Sequence, residues 1–340
     1  MLPKHLKEVN HWGFALYGFT RTAYPIGRLY EWVVDRFTQF GCDPDLSGGS
    51  FNGKSNGRYK SFRSYDRKVR NLKFAEMTSW SLLDIPDGLP DEIHGQDMYA
   101  VYSLRAKPLS TFFVLHMREQ VLGNRHSEFM EMLRQACQML SPLYGIVYTR
   151  PFHYGPSLYG MGMMENDDPF LDDENMNKWR AMMRNEAYTL LRSVYPYNVL
   201  SSIQLNIAFN DTNLENWIRA SPKRGTFSPL TDTLTLWTVP EDRIRPVRDE
   251  LWQAGVILDS KRHFDDVMDE YHVNDNVVAE HYRTGIPIVK QPPGPGISEE
   301  EMLRRVLGSF GGPDSEVSKV KDGKLKPAAN PAKKRPKKKS

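Results

Sequence analysis

Residues 98–117 have the sequence MYAVYSLRAKPLSTFFVLHM and carry the clearest structural signal in the chain. Residues 98–104 and 111–117 are two short runs rich in β-branched and aromatic side chains, and Lys107-Pro108 lies between them. Two such runs around a connection of several residues predict an antiparallel hairpin. The chain is therefore expected to build its core around an antiparallel sheet.

The elements before and after this hairpin predict a mixture of strands and helices. Apolar side chains recur at helical spacing in residues 25–40 and 125–140, and Gly41 and Pro142 end those two helices. The remaining predictions are a strand at 12–20, a loop of mobile chain at 45–60, a strand at 80–85, and a second hairpin formed by 144–148 and 158–163.

The second half of the chain predicts further elements of both kinds. Asp172-Asp173-Glu174 precede a long helix at 175–194, where the helix dipole favours acidic side chains. The rest are strands at 202–208, 234–239 and 256–258, and helical segments at 214–220, 241–254, 265–271 and 298–307.

This order of elements indicates an α+β fold with a mostly antiparallel sheet and helices packed on one face. We expect a globular body at 1–285, with a division into subdomains 1–165 and 166–285 left open. A linker rich in proline and glycine, with one short helix, follows at 286–318. The tail at 319–340 is basic and is expected to be disordered.

Charge is distributed unevenly along the chain. The whole chain carries a net charge of +3, whereas the last 22 residues carry ten basic residues and one acid, a net of +9. Residues 1–318 therefore hold 35 basic and 41 acidic residues, a net of −6. An acidic body suits a basic partner, because complementary fields speed and select encounter.

The standard motifs for metal binding and for dinucleotide binding are missing from the sequence. It contains no HExxH or CxxC motif, and Gly160-Met161-Gly162 lacks the third glycine of a dinucleotide fingerprint. Cys137 falls on the apolar side of a predicted helix, where a cysteine is usually a small hydrophobic residue. We therefore expect a protein that is not an enzyme and that uses no cofactor or metal.

The densest acidic cluster comprises Asp167, Asp168, Asp172, Asp173 and Glu174. Such oxygen ligands could hold a divalent cation. A solvated loop that caps a helix is the more ordinary interpretation. A loop that meets a basic partner fits the chain's charge better than catalysis does.

A basic stretch at 58–73 carries Tyr59, Phe62 and Tyr65 among its charges. Interleaved aromatic and basic side chains are typical of nucleic-acid contact. The same spacing fits a helix whose aromatic side faces inward. With the lysine-rich tail, this stretch supports an alternative function, that of a nucleic-acid-associated protein.

Four short segments carry a resemblance to a known family: LYGIVY at 143–148, GPSLYGMGM at 155–163, VYPYNVLS at 194–201 and GVI at 255–257. They resemble immunity proteins linked to bacterial type VI secretion. The resemblance implies a non-catalytic cytoplasmic protein that binds and neutralises a cognate toxin or effector.

The residues lead to a compatible hypothesis. Sixteen tyrosines and seven tryptophans suit a protein interface, in which aromatic side chains act as anchors. The chain has no run of eighteen apolar residues and no apolar region of a secretory signal near residue 1, so we expect neither a membrane helix nor a signal peptide. The predicted partner-binding residues are Phe152, His153, Tyr154, Tyr159, Asp167, Asp168, Asp172, Asp173 and Glu174.

Overall fold

The computed structural model describes residues 9–19, 26–51, 54–55, 60–71, 77–84, 97–103, 111–151, 155–163, 174–184 and 188–258. The chain divides between Gln291 and Pro292, and every described residue belongs to the first of the two units. The predicted linker, the basic tail and the helical segments at 265–271 and 298–307 lie outside the described residues.

An antiparallel sheet of eleven strands organises the described part of the chain. Its spatial order is β12-β13-β9-β8-β1-β7-β6-β5-β2-β3, and β4 also pairs with β2. The strands are β1 (Asn10–Tyr17), β2 (Leu46–Phe51), β3 (Lys54–Ser55), β4 (Lys60–Ser61), β5 (Met77–Asp84), β6 (Met98–Ser103), β7 (Phe112–Arg118), β8 (Tyr144–Pro151), β9 (Tyr197–Leu200), β12 (Thr226–Pro229) and β13 (Thr235–Thr238). A separate small hairpin is formed by β10 (Ala208–Phe209) and β11 (Thr212–Asn213).

Nine α-helices are found among the described residues. They are α1 (Ile26–Gln39), α2 (Phe62–Asn71), α3 (Glu119–Leu122), α4 (His126–Leu140), α5 (Pro156–Gly160), α6 (Met176–Arg184), α7 (Ser202–Leu205), α8 (Leu214–Arg219) and α9 (Glu241–Gln253), with a 3₁₀ turn at Pro222–Arg224. No described helix is long and apolar enough to span a bilayer.

Strand β1 lies at the centre of the sheet and shows how the core is divided. It pairs with β7 on one side and with β8 on the other. Phe14 and Leu16 contribute to a first hydrophobic core with α1 and α4, whereas Ala15 and Tyr17 contribute to a second core with α6 and α9. Successive strand residues point to opposite faces, so each face of the sheet has its own core.

The α+β class and the antiparallel sheet are confirmed. Helices cover both faces of the sheet, however, and not one face as predicted. The physical reason is that the central strands have no polar face: all six residues of β6 are buried, and so are six of the seven of β7. A sheet that is apolar on both sides must be covered on both sides.

The hairpin at 98–117 is confirmed in its pairing. Strands β6 and β7 run antiparallel, with Met98 opposite Met117 and Ser103 opposite Phe112. Strands from before and after residue 165 also share the sheet, since β8 pairs with β9. The division into subdomains at that point stays a prediction.

The second predicted hairpin is wrong. Strand β8 continues to Pro151 and pairs with β1 and β9, whereas Pro156–Gly160 form the short helix α5. Gly155 precedes this helix in the left-handed region (φ 54°), and Pro156 occupies its first turn. Proline is favoured there because the missing N–H would have no partner inside the helix.

The predicted loop at 45–60 is also wrong, since it contains β2, β3 and β4. Gly49 is one of the residues that hide this strand from sequence patterns, because packing requires a glycine at its position. A Cβ atom at this position would lie 2.5 Å from the backbone oxygen of Ser79 and would also collide with the Tyr65 hydroxyl. The glycine therefore permits close packing between β2, β5 and α2.

Two predicted boundaries in the second half are wrong as well. The helix expected at 175–194 is α6, which ends at Arg184, and residues 188–190 and 192–196 have neither helical nor strand structure. Its first turn is capped by Asn175, whose side-chain oxygen accepts from the Lys178 N–H at 2.9 Å. The strand expected at 202–208 is instead β9 at Tyr197–Leu200, followed by α7.

Candidate functional site

Of the nine predicted partner-binding residues, the structure describes Tyr159 and Glu174. The other seven, Phe152, His153, Tyr154, Asp167, Asp168, Asp172 and Asp173, lie outside the described residues. Tyr159 is 3% exposed and Glu174 is 5% exposed. Both side chains are parts of the second core, and the Tyr159 hydroxyl donates a hydrogen bond to the Glu174 carboxylate.

A buried polar cluster surrounds these two residues. Arg192 Nε donates to Glu174 Oε2 at 2.8 Å, and the Tyr195 hydroxyl donates to Glu174 Oε1 at 3.0 Å. Arg192 Nη1 donates to the Tyr17 hydroxyl at 3.0 Å, and Tyr17 in turn donates to the Gly160 carbonyl at 2.6 Å. We call these five side chains, Tyr17, Tyr159, Glu174, Arg192 and Tyr195, the arginine clamp.

The arginine clamp is arranged to hold a charge inside the core. Arg192 is fully buried, and its guanidinium lies 4.2 Å from the ring centre of Tyr159 and 5.5 Å from that of Trp179. Burial raises the pKa of Tyr159 and Tyr195, so both remain protonated donors at neutral pH. With three donors on its carboxylate, Glu174 serves as a structural anchor for β1, α5 and the segment 188–195.

A second buried pair lies at the other end of β1. The Nδ1 atoms of His11 and His116 are 3.1 Å apart, a distance at which one ring donates to the other. Burial, with the nearby Arg118, lowers the pKa of His11 to about 3, and burial also lowers the pKa of His116 well below its usual range. Both rings are therefore neutral at physiological pH.

The two cysteines are also interior groups. Burial raises the pKa of the Cys42 thiol, and a hydrogen bond to Asp84 adds to the shift. Burial raises the pKa of Cys137 as well. A thiol is nucleophilic as its thiolate, so both groups are held in the unreactive form. Within the described residues, no three His, Cys, Asp or Glu side chains are grouped so that they could hold a metal ion.

Residues 62–71 of the basic stretch 58–73 form helix α2. Tyr65 is 1% exposed and packs in the first core, whereas Arg63 and Arg67 are exposed. The Tyr65 side chain therefore packs inside the protein and is not presented to a nucleic-acid base. This agrees with the interpretation of the stretch as a helix whose aromatic side faces inward.

An open cleft of about 580 Å³ lies on the surface formed by residues 208–254. Its walls come from the turn between β10 and β11, from α8, from the 3₁₀ turn and from the last turn of α9. We call it the acceptor cleft, and its lining residues are Phe209, Asn210, Asp211, Thr212, Trp217, Arg224, Glu250, Gln253 and Ala254.

Aromatic side chains fix one wall of the acceptor cleft. The rings of Phe209 and Trp217 stack with their centres 4.5 Å apart, and both are nearly buried. The Arg224 guanidinium lies 4.3 Å from the centre of the Trp217 ring. It also donates from Nη1 to the Trp217 carbonyl at 2.9 Å and from Nη2 to Glu250 Oε2 at 3.2 Å.

Neither Arg192 nor the acceptor cleft was predicted from the sequence. Arg192 had a visible signal, because it stands alone among Leu190, Leu191 and Val194, and a lone charge in an apolar run is buried only if it is paired. The cleft had no such signal. Its residues come from four separate elements, and chain folding alone brings them together.

Comparisons with known proteins give a likeness in structure and none in sequence. No protein family model matches the chain, and no curated protein matches it in sequence. Among solved structures, the chain is similar to the Pseudomonas aeruginosa type VI secretion system (T6SS) protein PA0821, with a TM-score of 0.48 and 11% sequence identity. The similarity covers 73% of this chain and 73% of that chain.

Proposed function

We propose that this protein is a non-catalytic binding protein of the type VI immunity kind, which neutralises a cognate toxin by protein–protein contact. The observation that carries the proposal is the acceptor cleft, a preformed surface feature with two carboxylates at its edge. Rigid walls favour recognition, because less conformational entropy is lost when a partner binds.

The location of the reactive groups supports binding rather than catalysis. In the described part of the chain, both thiols are buried, and the histidine pair and the arginine clamp are buried and hydrogen-bonded within the protein. A catalytic acid, base or nucleophile must reach its substrate. These groups are better explained as parts of the two cores.

The charge of the body indicates the kind of partner. Residues 1–318 carry a net charge of −6. Such a body attracts a basic protein, and its carboxylates can occupy a groove that otherwise binds phosphate. A toxin that acts on nucleic acid would present such a groove.

The proposal is tested by co-expressing the full chain with the product of a toxin or effector gene adjacent to its own gene. We expect the two proteins to elute together in size-exclusion chromatography. We also expect the full chain to restore growth of a host that expresses the toxin. If the host dies and the proteins elute separately for every adjacent candidate, the proposal fails.

A nucleic-acid-associated protein remains the second candidate, favoured by the +9 tail at 319–340 and the exposed Arg63 and Arg67 of α2. Phosphate contacts release counterions, so their affinity falls steeply with salt. A steep salt dependence of DNA affinity that disappears together with biological activity when residues 319–340 are deleted would favour this candidate over toxin binding.

A further inference from the structure

We propose that the acceptor cleft receives an arginine side chain from a loop of the partner protein. The polypeptide nature of the occupant rests on the proposed function. The chemistry of the occupant rests on the cleft itself, whose lining carries a net negative charge and includes carboxylate oxygens with no partner among the described residues.

The hydrogen-bond acceptors of the cleft come from the turn between β10 and β11 and from α9. Asp211 and Asn210 form the exposed turn between β10 and β11, and Asn210 adopts a left-handed conformation (φ 49°) that makes this turn tight. Within the described residues, the Asp211 carboxylate makes no ion pair, and Glu250 uses Oε2 alone. Asp211, Oε1 of Glu250 and the amide oxygens of Asn210 and Gln253 are therefore open to a donor.

The cation already in the cleft does not satisfy these groups. Arg224 is held by the Trp217 ring, the Trp217 carbonyl and one oxygen of Glu250. The lining thus contains two carboxylates and one committed guanidinium, a net charge of −1. Lys223, the next residue along the chain, is not part of the lining.

The dipole of helix α9 adds to the negative potential of the cleft. Glu250, Gln253 and Ala254 line the cleft from the C-terminal end of this 13-residue helix. Backbone dipoles make that end negative, so it favours a cation and disfavours an anion.

Arginine fits these acceptors better than lysine does. A guanidinium presents five N–H donors in a fixed plane, whereas an ammonium is a compact point charge. The two carboxylates of the lining come from different elements, Asp211 from the β10–β11 turn and Glu250 from α9, and a planar fork can donate to more than one oxygen. A volume of about 580 Å³ leaves room for such a side chain.

The test uses N-acetyl-arginine amide as the probe and the full chain labelled with ¹⁵N. We expect TROSY spectra to show shifts of the amides of residues 210–212 and 250–254. N-acetyl-citrulline amide has nearly the same shape without the charge, and we expect it to bind at least about threefold more weakly. Asp211→Asn is expected to weaken the arginine probe by a similar factor.

The matched control is Asp249→Asn, which removes an exposed carboxylate of α9 that does not line the cleft. It should leave the affinity for the arginine probe unchanged. Equal binding of the citrulline probe, or shifts located elsewhere, would overturn the inference. Stronger cleft shifts with N-acetyl-glutamate amide would also overturn it, because Arg224 would then be the group that recognises the ligand.

These outcomes are separate from those that test the proposed function. The probe experiment needs no toxin, so the arginine site stands or falls without one. Growth protection without binding of the arginine probe would mean that the partner uses another surface. If the probe binds but the chain protects the host against no product of an adjacent gene, the arginine site stands and the immunity role is removed.

Discussion

Arg192 brings a positive charge into the second core, and its surroundings decide whether that is tolerable. A buried charge is expensive unless a partner and further hydrogen bonds compensate for it. Glu174 supplies the opposite charge, Tyr17 accepts one N–H, and the Tyr159 ring lies 4.2 Å from the guanidinium. The clamp thus links β1, α5 and the non-helical segment after α6.

The first prediction concerns this residue. Replacing Arg192 by methionine leaves the Glu174 carboxylate buried without its cation, so we expect the free energy of unfolding to fall by about 3–5 kcal/mol. Urea denaturation followed by circular dichroism measures this change. The double variant Glu174→Gln/Arg192→Met should be more stable than Arg192→Met, because it removes the uncompensated charge.

The control for this prediction is a second arginine–glutamate pair. Arg219 and Glu215 lie one turn apart on α8, and their side chains are 59% and 34% exposed. Because exposed pairs contribute at most about 1 kcal/mol, Arg219→Met should change stability little. Equal losses for Arg219→Met and Arg192→Met would contradict the role assigned to the clamp.

At the scale of elements, helix α7 shows how local hydrogen bonds can override a pattern. Residues 202–208 alternate in a way that predicts a strand, yet Ser201 and Gln204 form a capping box. Gln204 Oε1 accepts from the Ser201 N–H at 2.9 Å, and the Ser201 hydroxyl oxygen accepts from the Ile203 N–H at 3.3 Å. Gln204 Nε2 also donates to the Tyr188 carbonyl, which ties α7 to the segment after α6.

The second prediction follows from this cap. Ser201→Ala removes the side-chain acceptor, and loss of an N-cap typically costs about 1 kcal/mol of stability. Thermal unfolding should therefore show a lower Tm for this variant. Ser202→Ala is the matched control, since Ser202 is exposed and is not the cap. A Tm that falls equally for both serines would show that the cap contributes nothing particular.

At the scale of the whole molecule, the histidine pair links folding to pH. His11 lies in register between Arg118 on β7 and Arg150 on β8, and His116 lies in register with Tyr99 on β6. Positive charge on either ring would add to that of the two arginines. Folding therefore favours neutral rings, whose pKa values lie below the unfolded value of 6.5.

The third prediction is that the lowered histidine pKa values make the protein less stable in acid. Below pH 6.5 the unfolded chain binds more protons at these histidines than the folded chain does, so acid lowers the free energy of unfolding. Each imidazole contributes a slope of up to about 1.4 kcal/mol per pH unit. Asp84 acts in the opposite sense, because burial raises its pKa to about 6 and the folded state keeps that proton.

The variant His116→Gln isolates the histidine contribution from that of the carboxyl groups. Urea denaturation between pH 7 and pH 5 should give a slope that is shallower than that of the natural sequence by up to about 1.4 kcal/mol per pH unit. His126→Gln is the control, because His126 is exposed at the start of α4. Identical slopes for His116→Gln and the natural sequence would disprove the linkage.

Local sequence patterns were enough to predict the class of the fold and several of its elements. The β6–β7 hairpin, β1, α1 and α4 follow from local patterns, because their apolar residues repeat with the period of a strand or a helix. The charge division between body and tail is likewise a property of the sequence alone.

The strands that pair with β8, the way in which residues 45–60 enter the sheet and the groups that meet in the cores became known from the folded structure. Each of these depends on contacts between residues far apart in the chain: Tyr17 and Arg192 are 175 positions apart, and His11 and His116 are 105 apart. A local pattern records how a residue is spaced from its neighbours along the chain. It holds no record of the distant partner that makes a buried charge, a tight glycine or an acceptor cleft possible.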